Sequence, residues 1–365
     1  MMLETVSEDL DILSGTQVEE LRAVLGRAHN AVVTCHVSPD GDALGGALAA
    51  ASFLRRVGVH ADVVIPNRFP DFLNFLPGAG DVVDYEAHQP QAEEIIRKAD
   101  LIVCLDFNDM RRLLSMQTPV MESKAPRILV DHHLDPSLQT PDSGTSFKDE
   151  WAWALSCPSM SSTCEILYHV FSEVSGLESI TRDEASCLFT GILTDTGCFA
   201  YNASRPALFR TASALLSKGI DKDFIYHNVF HNYSVQRFRL LGYILYVKME
   251  YFSQYHAALI TMTRAEQKKF AHKKGDTEGF VNIPLQIRST RLSIFLREDT
   301  ERPSIRVSLR STDTFPCNKM AEEFFHGGGH RNASGGELFC TMDDAIQTVK
   351  KALAKYAPLL EPTIR

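Results

Sequence analysis

The chain lacks the marks of several broad protein classes. Its eight cysteines, at positions 35, 104, 157, 164, 187, 198, 317 and 340, form no CxxC pair, and several stand inside apolar runs. That argues against a thiolate zinc cage and a disulfide framework, and fits reduced, buried thiols. No uninterrupted apolar stretch approaches the roughly 20 residues of a membrane helix. The first residues, MMLETVSEDLDIL, are acidic where a signal peptide would be basic. The expectation is a soluble, cytoplasmic protein with no membrane partner. Tandem repeats and low-complexity tracts are absent too. Nor is there a basic excess: 37 Lys+Arg face 46 Asp+Glu, for a net charge of −9. A long nucleic-acid track normally needs a strongly basic face, so no long duplex is expected and any polyanionic substrate should be short.

What is present begins with bulk. A length of 365 residues, 44% hydrophobic and 23% charged, is ordinary globular material with enough chain for two domains. The charge is uneven. Residues 241–365 hold 18 Lys+Arg against 14 Asp+Glu, whereas the first 240 hold 19 against 32. The acidic part carries islands of acid and histidine at the ends of apolar runs: His36, Asp40 and Asp42 in TCHVSPDGDALGG, Asp106 in LIVCLDFND, Asp131, His132 and His133 in ILVDHH, and Asp195 in GILTDTGCF. Carboxylates suit hard divalent cations and imidazole suits borderline ones, so the mixed set points to two Mn²⁺ or Mg²⁺ ions and phosphoester chemistry. Asp40, Asp42, Asp106 and Asp195 are the four charges that two such ions would neutralise.

Each island also has a plainer reading. Pro39, Asp40 and Gly41 are ordinary turn chemistry, and Asp131 could be an N-cap. An unpaired Asp195 in its apolar stretch would cost several kcal/mol, which favours a compensating cation over a merely hydrogen-bonded acid. Arg111 and Arg112 either reach the site or are ion-paired helix residues. KKFAHKK (268–274) reads as a solvated helix end rather than an RNA contact.

Along the chain, Thr16 with Glu19 is a capping-box pattern that predicts a helix over about 16–28. AVVTC (31–35), VHADVVIP, LIVCL (101–105) and RILV (127–130) read as strands alternating with helices, hence a parallel sheet with its ligand site beyond the strand ends. Residues 137–160 carry turn formers and read as a long loop, either a lid or dimer contact or a plain surface excursion. Helices are expected at STCEILYHVFSEV, RDEASCLFTGILTDTG and SRPALFRTASALLSKG, then a connecting helix over 231–249. From about 250 the strands HAALITMT, RLSIFLRE and SIRVSLRS precede HGGGHRNASGG and a final helix started by Thr341.

The order His-x3-Asp-x-Asp, Asp, Asp-His-His, Asp, followed at a distance by Gly-Gly-Gly-His, resembles the DHH phosphoesterase family over about residues 31–340. It is most similar to the branch with a DHH-associated C-terminal domain, whose free-standing members include oligoribonucleases of very short RNA (nanoRNases) that double as 3′,5′-bisphosphate nucleotidases. The resemblance implies an α/β fold: a parallel-sheet catalytic domain at 1–230, the connecting helix, and a smaller mixed-sheet substrate-binding domain at 250–365, with the site in the cleft between them. It implies one metal on His36, Asp40 and Asp106 and a second on Asp42, Asp106, His132 and Asp195. Asp131 would orient a histidine ligand, and His133 would contact the scissile phosphate and protonate the leaving oxygen. Ser308, Arg310, Ser311, Gly328, Gly329 and His330 would grip the nucleotide. Asn332 and Ser334, where relatives more often carry alanines, depart from the pattern. The implied substrates are short RNA or adenosine 3′,5′-bisphosphate, and the implied assembly a homodimer. The rival readings are a cyclic or linear dinucleotide phosphodiesterase of the same family and a non-catalytic nucleotide-binding regulator.

Overall fold

The computed structural model describes residues 12–133, 151–273, 275–312 and 314–361, with His330 in its backbone only. The chain divides into two compact units, Met1–Asn232 and Tyr233–Arg365. In the first, helices and strands follow as α1 (Gly15–Leu25), β1 (Asn30–Cys35), α2 (Gly41–Arg56), β2 (His60–Ile65), β3 (Val83–Asp84), α3 (Gln89–Lys98), β4 (Leu101–Leu105), α4 (Gln117–Glu122), β5 (Arg127–Asp131), β6 (Trp153–Ser156), α5 (Thr163–Ser175), α6 (Arg182–Asp195), α7 (Pro206–Ser217) and α8 (Lys222–Phe230). The sheet runs β3-β2-β1-β4-β5-β6 with every pair parallel.

Strand composition explains the layering. A parallel sheet is covered on both faces, so its strands read as continuous apolar runs. In β1, Ala31, Val33 and Cys35 pack with the core that includes Phe53, Leu167 and Ile192, while Val32 packs on the opposite face with Ile102, Ile96 and Phe107. The strand order reverses between β1 and β4, where an open α/β sheet leaves a crevice beyond its carboxyl ends. His36, Asp106 and Asp131 stand at those ends, because β1 stops at Cys35, β4 at Leu105 and β5 at Asp131 itself.

Three expectations change. The first helix is capped by Ser14 with Gln17 in a reciprocal box, two residues earlier than Thr16 with Glu19, and ends at Leu25. The same S/T-x-x-E/Q pattern occurs twice there, and the earlier copy is used. Of the expected loop 137–160, residues 137–150 lie outside the described residues, but Trp153–Ser156 is strand β6, with Trp153 and Leu155 turned inward. Four residues are too few for a period to stand out. Helix α8, capped by Asp221, is an addition that sequence reasoning missed.

The second unit contains α9 (Val235–Tyr243), a π-helical turn (Ile244–Lys248), β7 (Glu250–Phe252), β8 (Ala257–Met262), α10 (Arg264–Lys269), β9 (Leu292–Glu298), β10 (Ile305–Ser311), α11 (Cys317–Phe324), β11 (Gly328–His330), β12 (Ala333–Leu338) and α12 (Met342–Leu360). Its sheet, β11-β12-β10-β9-β8-β7, is mixed: β8 and β9 are parallel and the other pairs antiparallel. Alternate residues feed two cores. Leu259, Ile294, Val307 and Leu309 meet Val349 and Leu353 of α12, while Ile260, Met262 and Phe295 meet Leu240, Ile244 and Phe280. Among the described residues no helix is long and apolar enough to cross a membrane.

Candidate metal centre

Five carboxylates and three imidazoles converge at and beyond the ends of β1, β4 and β5. The loop after β1 brings His36, whose Nδ1 lies 2.8 Å from the Val37 carbonyl and donates to it, leaving Nε2 aimed at Asp106 Oδ2, 3.3 Å away. Asp40 is the N-cap of α2: its Oδ1 accepts from the amides of Asp42 and Ala43, each at 3.0 Å. The turn reading of Asp40 thus holds as a cap, and leaves its second oxygen available.

Asp106 is central. It follows β4 with φ 64, a left-handed conformation unusual for a side-chain-bearing residue and costing on the order of 1–3 kcal/mol. One oxygen faces His36. The other accepts from Thr163 Oγ1 at 3.0 Å and lies 3.5 Å from His132 Nε2 and 3.6 Å from His133 Nδ1. His132 Nε2 is also 3.6 Å from Asp195 Oδ2 and 3.9 Å from Asp42 Oδ2.

Three overlapping sets therefore have ligand atoms close enough to share an ion: His36, Asp40 and Asp106; Asp42, His132 and Asp195; and Asp106, His132 and His133. Asp131, fully buried, accepts from His133 Nδ1 at 2.7 Å. It therefore orients the histidine assigned above to the phosphate, where the resemblance implied a metal-ligating one. Asp195 is the last residue of α6, its side chain 31% exposed at the rim of the site, where the sequence suggested an apolar setting.

The electrostatics show what the cluster requires. Burial first, then the charge of Asp106, raises the Asp42 carboxyl to about 7. Burial and then Asp42 also hold the Asp195 carboxyl well above its ordinary range, moderated by the part of the side chain that meets solvent. Burial alone would lower His132, but Asp106, Asp195 and Asp42 outweigh it and lift the imidazole to about 9. Asp106 is the exception: burial opposes its ionisation, yet the hydrogen bond from His36 and the nearby imidazoles hold its carboxyl well below the usual range. Acids crowded together in low dielectric are relieved by cations. The donor set fits hard or borderline divalent ions, because the neighbouring thiols of Cys35 and Cys164 are pushed up, chiefly by burial, and stay protonated.

Asp42 is raised above its ordinary 3.8, so its ionisation removes stability as pH climbs from about 4 to about 7. His132 is raised above 6.5, so its contribution is complete below that value and is lost as pH passes about 9. Both shifts have the same sign. In EDTA the melting temperature should fall from pH 5.5 to 9, by the equivalent of several kcal/mol, and saturating Mn²⁺ should flatten the decline. Parallel profiles with and without the ion would reject a cation at this cluster.

Two contributions escaped sequence reasoning. The N-terminus of α5 donates the amides of Thr163 (2.7 Å) and Cys164 (2.9 Å) to the two oxygens of Asp42, a helix end holding a carboxylate. Ser162 capping Glu165 N in SSTCE was the available signal, but it marks a helix start and says nothing of its target. The second is Arg112. Arg111 pairs with Asp109 at 2.6 Å on the surface, whereas Arg112 turns inward, its Nη1 lying 3.5 Å from both His133 Nε2 and the Asp106 carbonyl.

In the second unit the pleat of β10 separates the expected substrate residues. Ser308 and Arg310 share one face; Ser311 lies on the other, buried, where its hydroxyl donates to the Phe315 carbonyl and accepts from Asn332. Ser311 and the departing residue Asn332 are thus hydrogen-bonded to each other. The glycines divide too. A Cβ at Gly327 would lie 1.8 Å from the Gly335 carbonyl, so strand packing demands glycine there, while one at Gly328 would meet open space. His330 is placed by its backbone on β11, opposite Ala333.

An all-parallel α/β sheet whose switch point gathers carboxylates and imidazoles into adjoining cation sites defines a metal-binding hydrolase class. The DHH family, N-terminal domain, matches residues 30–192, and the DHHA1 domain matches 257–356. The structure is similar to a solved exopolyphosphatase-related protein from Bacteroides fragilis, 43% identical, covering 96% of this chain and 99% of that one with a TM-score of 0.89. In sequence it is 29% identical over 336 residues to the bifunctional oligoribonuclease and PAP phosphatase NrnA of Thermus thermophilus, covering 92% of this chain and 91% of the relative. It is also 23% identical to the cyclic-di-AMP phosphodiesterase PdeA of Listeria monocytogenes, over 93% of this chain and 49% of that protein. The chain belongs to the DHH family of phosphoesterases, with a DHHA1 domain following the DHH domain.

Proposed function

We propose that this chain is a two-metal phosphoesterase that hydrolyses very short RNA to mononucleotides and removes the 3′-phosphate of adenosine 3′,5′-bisphosphate. The observation that carries the reading is the pair of ligand sets, His36–Asp40–Asp106 and Asp42–His132–Asp195, facing opposite oxygens of Asp106. Divalent ions held there, Mn²⁺ or Mg²⁺, supply charge to offset the phosphate and a water acidic enough to attack near neutral pH. The side chains do the rest. Asp131 accepts the Nδ1 proton of His133, so that Nε2 faces the substrate and can serve the leaving oxygen. Ser308, Arg310, Gly328, Gly329 and His330 hold the nucleotide in the second unit, Arg310 as a guanidinium fork on a terminal phosphate. Support comes from the NrnA relative, aligned over nearly its whole length. The reading carries with it a cytoplasmic setting and a homodimer, the latter checked by sedimentation.

The test is turnover of RNA from two to about twenty nucleotides with Mn²⁺, beside adenosine 3′,5′-bisphosphate. Activity should concentrate on the shortest oligomers and on the bisphosphate. Equal turnover at every length would reject the reading. The PdeA relative favours a second one, in which cyclic-di-AMP is cleaved and the short RNAs are not.

A further inference from the structure

Arg112 is the cation whose placement the metal centre does not explain. It lies in a 3-10 segment, Met110–Met116, whose first turn is capped by Asp109, and its carbonyl accepts from the amide of Val37 at 2.8 Å. That bond ties the segment to the loop carrying His36 and Asp40, so the base of the side chain is held to the site through main chain. The guanidinium is half-buried, and among the described residues it makes no ion pair with a carboxylate. Its Nη1 is instead 3.5 Å from His133 Nε2 and 3.5 Å from the Asp106 carbonyl. Both contacts are long for hydrogen bonds and use one nitrogen of a group with five donors. Its sequence neighbour Arg111 shows the ordinary alternative, a bidentate pair with Asp109.

The remaining donors of this guanidinium, beside an imidazole that Asp131 holds from behind, form a cradle for an anion. We propose that Arg112 is a substrate ligand that grips a non-bridging oxygen of the phosphate being hydrolysed, beside His133, whose Nε2 serves the leaving oxygen. The proposal rests on the phosphoesterase reading above and adds a residue to it. Planar forks match phosphoryl oxygens in a way lysine does not. An arginine committed to a carboxylate would be spoiled for this role, which accounts for the unpaired state of this one beside a paired Arg111.

The experiment uses the full chain with Mn²⁺ and two variants, Arg112→Gln and Arg112→Lys, with inorganic phosphate as the probe. For Arg112→Gln the apparent KM and the inhibition constant for phosphate should each rise about tenfold or more. Melting temperature and the Mn²⁺-induced shift should stay as in the wild type, because the Val37 bond is made by the main chain. Arg112→Lys should recover part of the phosphate affinity and little of kcat/KM. A folded Arg112→Gln with unchanged KM and phosphate inhibition but lower kcat would mean that Arg112 only props the Asp106 carbonyl, and would overturn the proposal. If Arg112→Gln does not fold, the lysine variant decides: wild-type KM and phosphate inhibition there also overturn it. Should the wild type turn over no nucleotide at all, the function proposed above fails, but phosphate-induced thermal stabilisation of wild type and its loss in Arg112→Gln still test the cradle.

Discussion

Asp106→Asn should abolish turnover of short RNA and of adenosine 3′,5′-bisphosphate, by about 10³-fold or more, equivalent to ~4 kcal/mol of transition-state stabilisation, while the chain melts cooperatively as before. Asn is the informative substitution because Asp106 sits at φ 64, a region Asn tolerates and Ala does not. The amide also keeps the shape and an oxygen for Thr163 Oγ1, 3.0 Å away. What it removes is the charge and the second oxygen that face His36 on one side and His132 on the other. Calorimetric titration with Mn²⁺ should show both ions weakened together, since one residue belongs to both neighbourhoods. Turnover within tenfold of wild type, or loss of one ion with the other intact, would contradict a central position for Asp106.

The parts of this site legible in sequence share a physical cause. A parallel strand buried on both faces is an apolar run, and the residue after it must leave the core, so an acid or histidine directly following LIVCL or AVVTC is conspicuous. The strand ends then fall together at the β1–β4 switch point, and His36, Asp106 and Asp131 converge without any knowledge of side-chain geometry. Contacts made across long sequence separations had no such mark. Thr163 and Cys164 donate to Asp42 from 121 and 122 residues away, and nothing local in SSTCE names that partner.

Ser311 is a different case. Its parity already separates it from Ser308 and Arg310, because alternate residues of a strand face opposite ways, and the pleat turns it to the Phe315 carbonyl. The family order of motifs places it in the substrate group, and its parity on β10 places it on the face opposite Ser308 and Arg310. The glycines of GGGH are intermediate. The resemblance implies a nucleotide grip at Gly328 and Gly329, while Gly327 is fixed by the backbone of Gly335 and, of the three, only Gly328 faces open space. A steric requirement of this kind depends on which strands lie side by side.

A glycine in the first unit is fixed by its neighbours in the same way. Gly191, within α6, lies where an added Cβ would meet Cys164 Sγ at 2.2 Å, Asp42 Oδ1 at 2.8 Å and Cys164 Cβ at 2.8 Å. Gly191→Ala would gain ~1 kcal/mol of helix propensity, but overpacking a close helix contact costs about 1–3 kcal/mol, and here the group displaced is a buried carboxylate held by two amides. The net effect should be a lower melting temperature together with a loss of turnover on the order of 10²-fold, as an ångström-scale displacement of a site group can produce. The Mn²⁺-induced stabilisation should shrink in parallel, because Asp42 moves relative to His132 and Asp195. Gly328→Ala, with open space around its Cβ, should leave the melting temperature where it was. Adding Cys164→Ala to Gly191→Ala removes the nearest obstruction and should recover part of the stability, a coupling expected of touching residues. If the double variant melts no higher than the single one while turnover stays low, the carboxylate contact and not the thiol governs the loss. If Gly191→Ala is as stable and as active as wild type, the helices yield at this point, and the tight α2–α5–α6 packing does not hold Asp42 in place.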